Sequence, residues 1–215
     1  MKDLKNLLPE TASVLRKLAV SEILSDYTFV GGSALALYLN HRYSEDIDLF
    51  TWKETIDFDK INHEIKKIKS QSVNILNITK TQINLVIDGI NVTFFANNWN
   101  ELKNRKQLFD NLYIANIETL AVMKVNTLFL RAKFRDYYDL YVLNKTFFSL
   151  QQLYDMTCRK MQNLTMALFQ KALTFTADID DENINHLQPK YPVAIDGIEE
   201  HFLKEIKKYN NKLKI

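Results

Sequence analysis

The spacing of hydrophobic residues changes along the chain, from a mixture of helical and strand patterns in the first half to helical patterns in the second. Leucine, isoleucine and valine recur at helical intervals over 10–25, and the short run 27–30 is rich in residues that favour strands. Alternation of apolar and polar residues predicts further strands at 46–51, 73–79, 82–87 and 90–96. Beyond about residue 111, the spacing predicts helices at 117–133, 135–145, 149–160, 162–176 and 195–211.

Two local signals complete the expected architecture. The pair Asp88-Gly89 separates two alternating runs, and an Asp-Gly pair in that position predicts a tight hairpin. Over 57–69, isoleucines recur at helical spacing among lysines, which predicts an amphipathic helix. Strands followed by helices indicate an α+β protein. We therefore expect a small mixed β-sheet core with flanking helices over 1–110, and a helical region over 111–215 packed on that core.

The composition indicates the class of protein and its compartment, but it does not indicate an activity. The chain has 215 residues, of which 47% are hydrophobic and 25% charged, as in an ordinary soluble globular protein. Its formal net charge of +2 gives no general argument for a nucleic-acid partner. No run approaches the roughly 18 apolar residues of a membrane span. The single cysteine, Cys158, excludes an intramolecular disulfide and is compatible with a reducing compartment, so we expect a cytoplasmic protein.

A pair of adjacent glycines, Gly31 and Gly32, lies between the predicted strand 27–30 and a helical run of alanine and leucine. A strand that enters a helix through glycines leaves backbone N–H groups pointing at one place, and this arrangement attracts phosphate. Ser33 is expected to cap the helix and to donate its hydroxyl to the same anion. The alternative is a plain strand-to-helix turn. In the polar link that follows, His41 and Arg42 could touch phosphate, although a histidine in a loop is more often merely exposed.

Asp46 and Asp48 are the second feature that suggests chemistry. Alternation along the predicted strand places both carboxylates on one face while Ile47 points to the other, so the two aspartates can share hard cations. A bound Mg²⁺ would also remove the repulsion between them. Taken alone, the pair would equally suit an acidic, solvent-facing strand. Together with the glycine turn, it favours a site for nucleotide phosphates and metal.

The combination resembles the nucleotidyltransferase superfamily, whose motif is Gly-Ser after a strand and Asp-x-Asp on the next strand. A second stretch, IETLAVMKVNTLFLRAKFRDYYDLYVL at 117–143, is similar to the Lys and Arg-x-Lys-x-Arg-Asp-x-Tyr-Asp-Leu pattern of the AbiEii/AbiGii toxin nucleotidyltransferases. This resemblance covers about residues 25–145. It implies a two-metal Mg²⁺ site on Asp46 and Asp48, with the glycines and Ser33 binding the triphosphate.

The second stretch has a physical interpretation of its own. Lys124, Arg131 and Arg135 fall within about 40° of one another if one helix runs unbroken through 133–135. Such a basic stripe suits triphosphate or an RNA backbone. The alternative is a solvated face with an ion pair between Arg135 and Asp139. The resemblance implies a nucleotide-contacting role for Lys124 and an active-site carboxylate at Asp136.

The chain departs from the superfamily pattern at the third carboxylate, which many members carry on a strand of the following hairpin. Here that strand offers Asn91 and Thr93 on one face and no acid, and Asp88 belongs to the turn. Either Asp136 supplies the missing carboxylate from the helical region, or the site is impaired. We favour the first.

The resemblance implies a Mg²⁺-dependent enzyme that transfers NMP from NTP to an acceptor hydroxyl. It further implies a toxin of a toxin–antitoxin or abortive-infection system, with a cognate antitoxin and an RNA acceptor such as tRNA. Two alternatives stay open. The acceptor is a small molecule, as for antibiotic-modifying members of the superfamily, or the protein is a catalytically silent module that binds nucleotide or protein.

Overall fold

The computed structural model describes residues 4–180 and 182–212. The chain divides into two compact units, Met1–Leu120 and Ala121–Ile215. The sequence placed its boundary earlier, at residue 110. The difference arises because the segment after 110 still contains a strand of the first unit's sheet.

The first unit is built on a mixed β-sheet, as expected. Its strands in the described part of the chain are β1 (Thr28–Val30), β2 (Ile47–Thr51), β3 (Val73–Ile78), β4 (Gln82–Ile87), β5 (Ile90–Ala96), β6 (Arg105–Phe109) and β7 (Leu112–Ala115). Their order across the sheet is β3-β4-β5-β2-β1-β7-β6. β2 runs parallel to β5 and β1 runs parallel to β7, whereas the remaining pairs are antiparallel. β1 and β2 therefore lie at the centre of the sheet.

Three helices accompany this sheet: α1 (Pro9–Ala19), α2 (Gly31–Leu39) and α3 (Phe58–Ile65). α1 turns Val14, Leu15 and Leu18 inward, each at most 1% exposed. α2 follows β1 without a loop, and its apolar face is buried with the inward-facing residues of the central strands. Both α1 and α3 are shorter than the helical spacing predicted, and a short 3₁₀ turn at Glu22–Asp26 replaces the end of the first.

The hairpin between β4 and β5 is confirmed. Asp88 and Gly89 have φ values of 49° and 83°, and Ile87 pairs with Ile90 across them. The Asp88 carboxylate accepts the N–H groups of Gln71 and Ser72 and lies 2.7 Å from Lys17 Nζ. Asp88 therefore serves the turn and its surroundings, as its position predicted.

Strands β6 and β7 were missing from the sequence prediction. β6 is an edge strand whose residues are all exposed or half-buried, so its sequence shows no alternation. Tertiary contacts hold it instead. The Arg105 guanidinium lies 4.6 Å from the Trp52 ring centre and 4.2 Å from that of Tyr113, and it donates to the Tyr27 carbonyl oxygen. These contacts fix the edge strand by stacking and hydrogen bonding rather than by burial.

The second unit is helical, as expected, with α4 (Ile117–Leu130), α5 (Phe134–Thr146), α6 (Leu150–Cys158), α7 (Met166–Leu173) and α8 (Ile195–Lys212). α8 contacts α5, α6 and α7. The condition for a single basic stripe is not met, because no helix runs unbroken through 133–135. α4 ends at Leu130, Ala132 takes a left-handed φ of 40°, and α5 begins at Phe134.

This break removes the premise of a single basic stripe formed by Lys124, Arg131 and Arg135, since only Lys124 lies on α4 and only Arg135 on α5. None of the helices in the described part of the chain is both long enough and apolar enough to span a membrane.

Candidate active site

The turn between β1 and α2 is formed by Gly31, the first residue of the helix. Gly31 has a φ of 75°, which a residue with a side chain rarely adopts, and Val30 occupies the N-cap position. The N–H groups of the first helical turn have no carbonyl partner within the helix, because such a partner would have to precede its start. Together with the helix dipole, these groups favour an anion at this end of α2.

Two charged side chains approach the glycines so closely that neither glycine has room for a Cβ atom. A Cβ on Gly31 would lie 2.0 Å from Asp48 Oδ2, and one on Gly32 would lie 2.7 Å from Arg42 Nη2. Arg42 is only 5% exposed. The glycine turn thus brings a carboxylate and a guanidinium to adjacent positions at the start of one helix.

The Ser33 side chain connects α2 to the segment that leads to Asp46 and Asp48. Its hydroxyl donates to the backbone carbonyl of Asp46, and its Oγ lies 2.9 Å from Ser44 Oγ. The prediction that Ser33 caps α2 is wrong, because Ser33 is the third residue of the helix and its side chain is 1% exposed. The hydroxyl holds the residues that lead into β2 instead.

Asp46 and Asp48 share one face of the sheet, as alternation predicted. Asn91 Nδ2 donates to Asp46 Oδ1 over 3.0 Å, and Thr93 is the register partner of Asp48 on β5. Side chains of residues paired in register lie on the same face. Both aspartates are half-buried. Their neighbours on β5 are therefore an amide and a hydroxyl, at the place where a third carboxylate was sought.

The donor set suits a hard cation that keeps part of its own solvent. Within residues 4–180 and 182–212, no group of three or more His, Cys, Asp or Glu side chains forms a complete metal site. Two aspartates fit Mg²⁺ in particular, since this ion binds through one or two carboxylates and completes its shell with water and substrate phosphate.

A second cluster lies in the helical unit and centres on Lys124. Its Nζ lies 2.9 Å from Asp136 Oδ1 and 2.9 Å from Asp139 Oδ2. The side chains of Lys124, Asp136 and Asp139 are 9%, 1% and 0% exposed. One buried ammonium is thus held between two buried carboxylates from α5.

The Asp136 carboxylate has further donors. Arg131 Nε lies 3.4 Å from Asp136 Oδ2, and the backbone N–H of Lys133 donates to the same oxygen over 3.3 Å, which caps the start of α5. Burial alone would raise the pKa of Asp136, but the charge and hydrogen bond of Lys124, followed by the charge of Arg131, hold it below its usual value. Asp136 is therefore a carboxylate at neutral pH and a weak base.

The predicted site residues fall into two groups. Gly31, Gly32, Ser33, Asp46 and Asp48 lie together in the first unit, and Lys124, Arg131 and Asp136 lie together in the second. Arg135 is directed elsewhere, because its Nη2 lies 2.8 Å from Glu182 Oε1.

Two residues, Arg42 and Asp139, contact the predicted site residues more closely than the sequence indicated. Arg42 lies against Gly32, and His41 beside it, which was expected to be exposed in a loop, is 1% exposed. Asp139, expected to hold α5 in place, contacts Lys124 as closely as Asp136 does. The sequence contains no local signal for the burial of Arg42, because this burial depends on how the link between α2 and β2 folds.

A glycine turn from strand into helix, followed by two aspartates that lead into the next strand of a mixed sheet, agrees with the resemblance to nucleotidyltransferases found in the sequence. The family model described as "Nucleotidyl transferase AbiEii toxin, Type IV TA system" matches residues 13–205. The chain belongs to this family of nucleotidyltransferase toxins, and it is a transferase.

Individual relatives and solved structures are similar along most of the chain. A protein of Aquifex aeolicus (strain VF5), described as uncharacterized, is 28% identical over 209 residues, which cover 96% of this chain and 98% of the relative. Among solved structures, an H. pylori protein described as a candidate nucleotidyltransferase has a TM-score of 0.55 at 18% identity, covering 96% of this chain and 98% of its own. MenT4, a nucleotidyltransferase toxin from Mycobacterium tuberculosis H37Rv, has a TM-score of 0.56 at 14% identity, with coverage of 89% and 80%. At these identities the two structures establish a shared fold.

Proposed function

We propose that the protein transfers a nucleoside monophosphate from an NTP to a hydroxyl of an RNA acceptor such as tRNA, with Mg²⁺ at Asp46 and Asp48. The proposal rests on one observation, the close contact between Asp48 and Gly31. This contact brings a carboxylate that can bind a metal ion to the N-terminus of α2. Phosphate and metal bind side by side in nucleotidyl transfer, and this turn offers a place for each.

The first unit supplies binding and orientation in this proposal. Backbone N–H groups of Gly31, Gly32 and Ser33 hold the β- and γ-phosphates at the start of α2. The Arg42 guanidinium beside Gly32 adds positive charge at the same turn. The Ser33 hydroxyl acts indirectly, because it fixes the backbone at Asp46. The amide of Asn91 orients the Asp46 carboxylate.

The reaction itself is an exchange of phosphoanhydride for phosphodiester. The acceptor hydroxyl loses its proton to solvent water as its oxygen attacks the α-phosphorus. The bond from the α-phosphorus to the bridging oxygen breaks, and pyrophosphate leaves with that oxygen and its charge. Mg²⁺ on the two aspartates would stabilise that charge and lower the pKa of the attacking hydroxyl. Two carboxylates suffice for such a site when phosphate oxygens and water complete the metal shell.

Lys124 is the cationic residue of the second unit in the proposal. Asp136 and Asp139 hold its ammonium group by two ion pairs, and we assign this group to the nucleotide. The low pKa of Asp136 suits a positioning residue better than a general base, so Asp136 supports the reaction by holding Lys124. Arg131, whose side chain is 57% exposed, is assigned to the nucleotide or the RNA backbone. Arg135 forms an ion pair with Glu182, so we assign it only a secondary role in binding the nucleotide.

The test is transfer of label from each α-labelled NTP to total RNA in the presence of Mg²⁺. We expect a labelled RNA with the wild type and at least about a hundredfold loss in Asp46→Asn and Asp48→Asn. Asp110→Asn, at an exposed aspartate in the turn between β6 and β7, is the matched control and should retain activity. Label found only in a small-molecule fraction would replace the RNA acceptor by the antibiotic-type alternative. NTP binding with no transfer to either fraction would indicate that the protein is a catalytically silent module that binds nucleotide.

The toxin assignment has a separate test. Induced expression of the wild type should arrest bacterial growth, and the Asp46→Asn/Asp48→Asn variant, expressed to the same level, should not. Equal growth arrest by both proteins would contradict a catalytic toxin. Relief of the arrest by the protein encoded in the adjacent open reading frame would identify the antitoxin.

A further inference from the structure

Strand β3 is the end strand of the sheet and leaves all six of its residues exposed. Four of them are large hydrophobic residues: Val73, Ile75, Leu76 and Ile78 are 38%, 46%, 63% and 45% exposed. Alternation would bury one face of a strand packed on a core. β3 instead has apolar residues that are exposed on both of its faces.

Edge strands are normally protected, because their outer N–H and C=O groups can pair with another chain. Lysines within the strand, prolines and covering elements are the usual devices. β3 reads Val-Asn-Ile-Leu-Asn-Ile and has neither charge nor proline. Its register with β4 shifts between Ile75 and Asn77, an irregularity of the kind that can protect an edge. Leu76 at that shift is nevertheless the most exposed of the four. A contiguous exposed apolar surface at an unpaired sheet edge is typical of an interaction site.

The charges around β3 indicate what kind of strand would bind there. Lys66 and Lys69 precede β3, Lys80 follows it, and all three are exposed. The strand itself is therefore uncharged, and the chain on either side of it is basic. The Asp88 carboxylate at its start is paired with Lys17 and does not cancel this charge. An added strand would gain from acidic residues at both of its own ends.

The same charges argue against a second copy of this chain as the occupant. A symmetric dimer through β3 would pair the strand with itself in the antiparallel direction. That arrangement brings Lys69 of one copy towards Lys80 of the other at both ends of the pair. Like charges opposite one another across strands are destabilising.

We propose that β3 is a docking edge for a protein partner that adds an extended segment to the sheet. The segment has apolar side chains at alternate positions and acidic side chains at both ends. Main-chain hydrogen bonds to the outer edge of β3 would give affinity, and contacts with Ile75 and Leu76 would give specificity. The inference does not depend on nucleotidyl transfer, because none of these residues belongs to the glycine–aspartate turn.

The test is fluorescence polarisation with the full-length protein and a labelled peptide that alternates valine and threonine between paired glutamates. We expect saturable binding that weakens at least about tenfold in Ile75→Lys and in Leu76→Lys. Leu203→Lys, at a residue of α8 that is 50% exposed, is the matched control and should bind like the wild type. All three sites are exposed, so the variants should keep the wild-type melting temperature.

Two further peptides separate the parts of the proposal. A lysine-flanked peptide of the same core should bind at least about tenfold more weakly, and so should a glutamate-flanked peptide methylated on alternate backbone nitrogens. Equal binding of the lysine-flanked peptide would overturn the assigned charge, and no loss in either β3 variant would overturn the site. A wild-type dimer in light scattering that becomes monomeric in Ile75→Lys would assign the edge to a second copy instead. The failure of any of these arms leaves the NTP-labelling result unaffected.

Discussion

The Asp48 carboxylate lies against the α-carbon of Gly31, so closely that a Cβ atom at Gly31 would be 2.0 Å from Asp48 Oδ2. Gly31 also has a φ of 75°. The position therefore excludes other residues for two reasons, backbone strain and lack of space. Since the contact joins the start of α2 to β2, it fixes the distance at which a phosphate at the helix and a cation at the aspartate would meet.

A comparison of Gly31→Ala with Gly89→Ala should separate the effect of backbone strain from the effect of lack of space. Gly89 has a φ of 83° and nothing within 4 Å of an added Cβ, so its variant reports backbone strain alone. We expect each variant to lose about 1–2 kcal/mol of unfolding free energy from strain in urea denaturation. Only Gly31→Ala should also lose NTP binding and transfer, because its methyl group displaces the Asp48 carboxylate. Wild-type transfer in Gly31→Ala would show that this contact is not needed.

Gly32 and Arg42 should behave as a coupled pair. The Cβ of Gly32→Ala would lie 2.7 Å from Arg42 Nη2, and a guanidinium at the end of a flexible side chain can move away. We expect a small change in stability and a several-fold rise in the Kd for NTP. If both glycine and arginine act through the same phosphate, Gly32→Ala should cost less in an Arg42→Ala background. Binding titrations of the four proteins give the coupling, and additive losses would contradict a shared role.

The sequence identified the residues whose signals are local. Adjacent glycines and an Asp-x-Asp alternation are readable from short windows, and the structure brings Gly31 and Asp48 into contact. The Asp88-Gly89 hairpin is local for the same reason. The burial of Arg42 was not predictable, because it depends on the fold of the link between α2 and β2.

The place of the break between α4 and α5 is harder to predict from the sequence. The spacing predicts helices at 117–133 and 135–145, whereas α4 ends at Leu130. Ala132 has high helix propensity, yet it takes a φ of 40°. The Asp136 carboxylate accepts the Lys133 N–H and starts a new helix, while the same carboxylate binds Lys124. Tertiary contacts thus outweigh helix propensity at this point. The stretch 117–143 contains both partners of these contacts, but the spacing of its residues does not show that Asp136 binds Lys124.

Asp136 should contribute to the acid sensitivity of the protein. Its folded-state pKa lies below the ordinary value of 3.8. The stabilisation is therefore fully present above pH 3.8 and is lost as the pH falls through the lower, folded-state pKa. In Asp136→Asn this part of the pH dependence should be absent, although the variant starts from lower stability. Urea denaturation of both proteins between about pH 5 and 3 measures the difference, and parallel curves would contradict the assignment.

Lys124 is both buried and assigned to the nucleotide, and substitutions can separate the two roles. Lys124→Met leaves Asp136 and Asp139 buried without their ammonium, which should lower the unfolding free energy by about 3–5 kcal/mol. Replacing Asp139 as well, in Lys124→Met/Asp139→Leu, removes one of the unpaired carboxylates and should restore part of that stability. Transfer should stay low in the double variant, because the lysine that we assign to the nucleotide is absent. If transfer returned together with stability, Lys124 would be a purely structural residue, and the nucleotide would depend on the glycine turn and on the arginines Arg42 and Arg131.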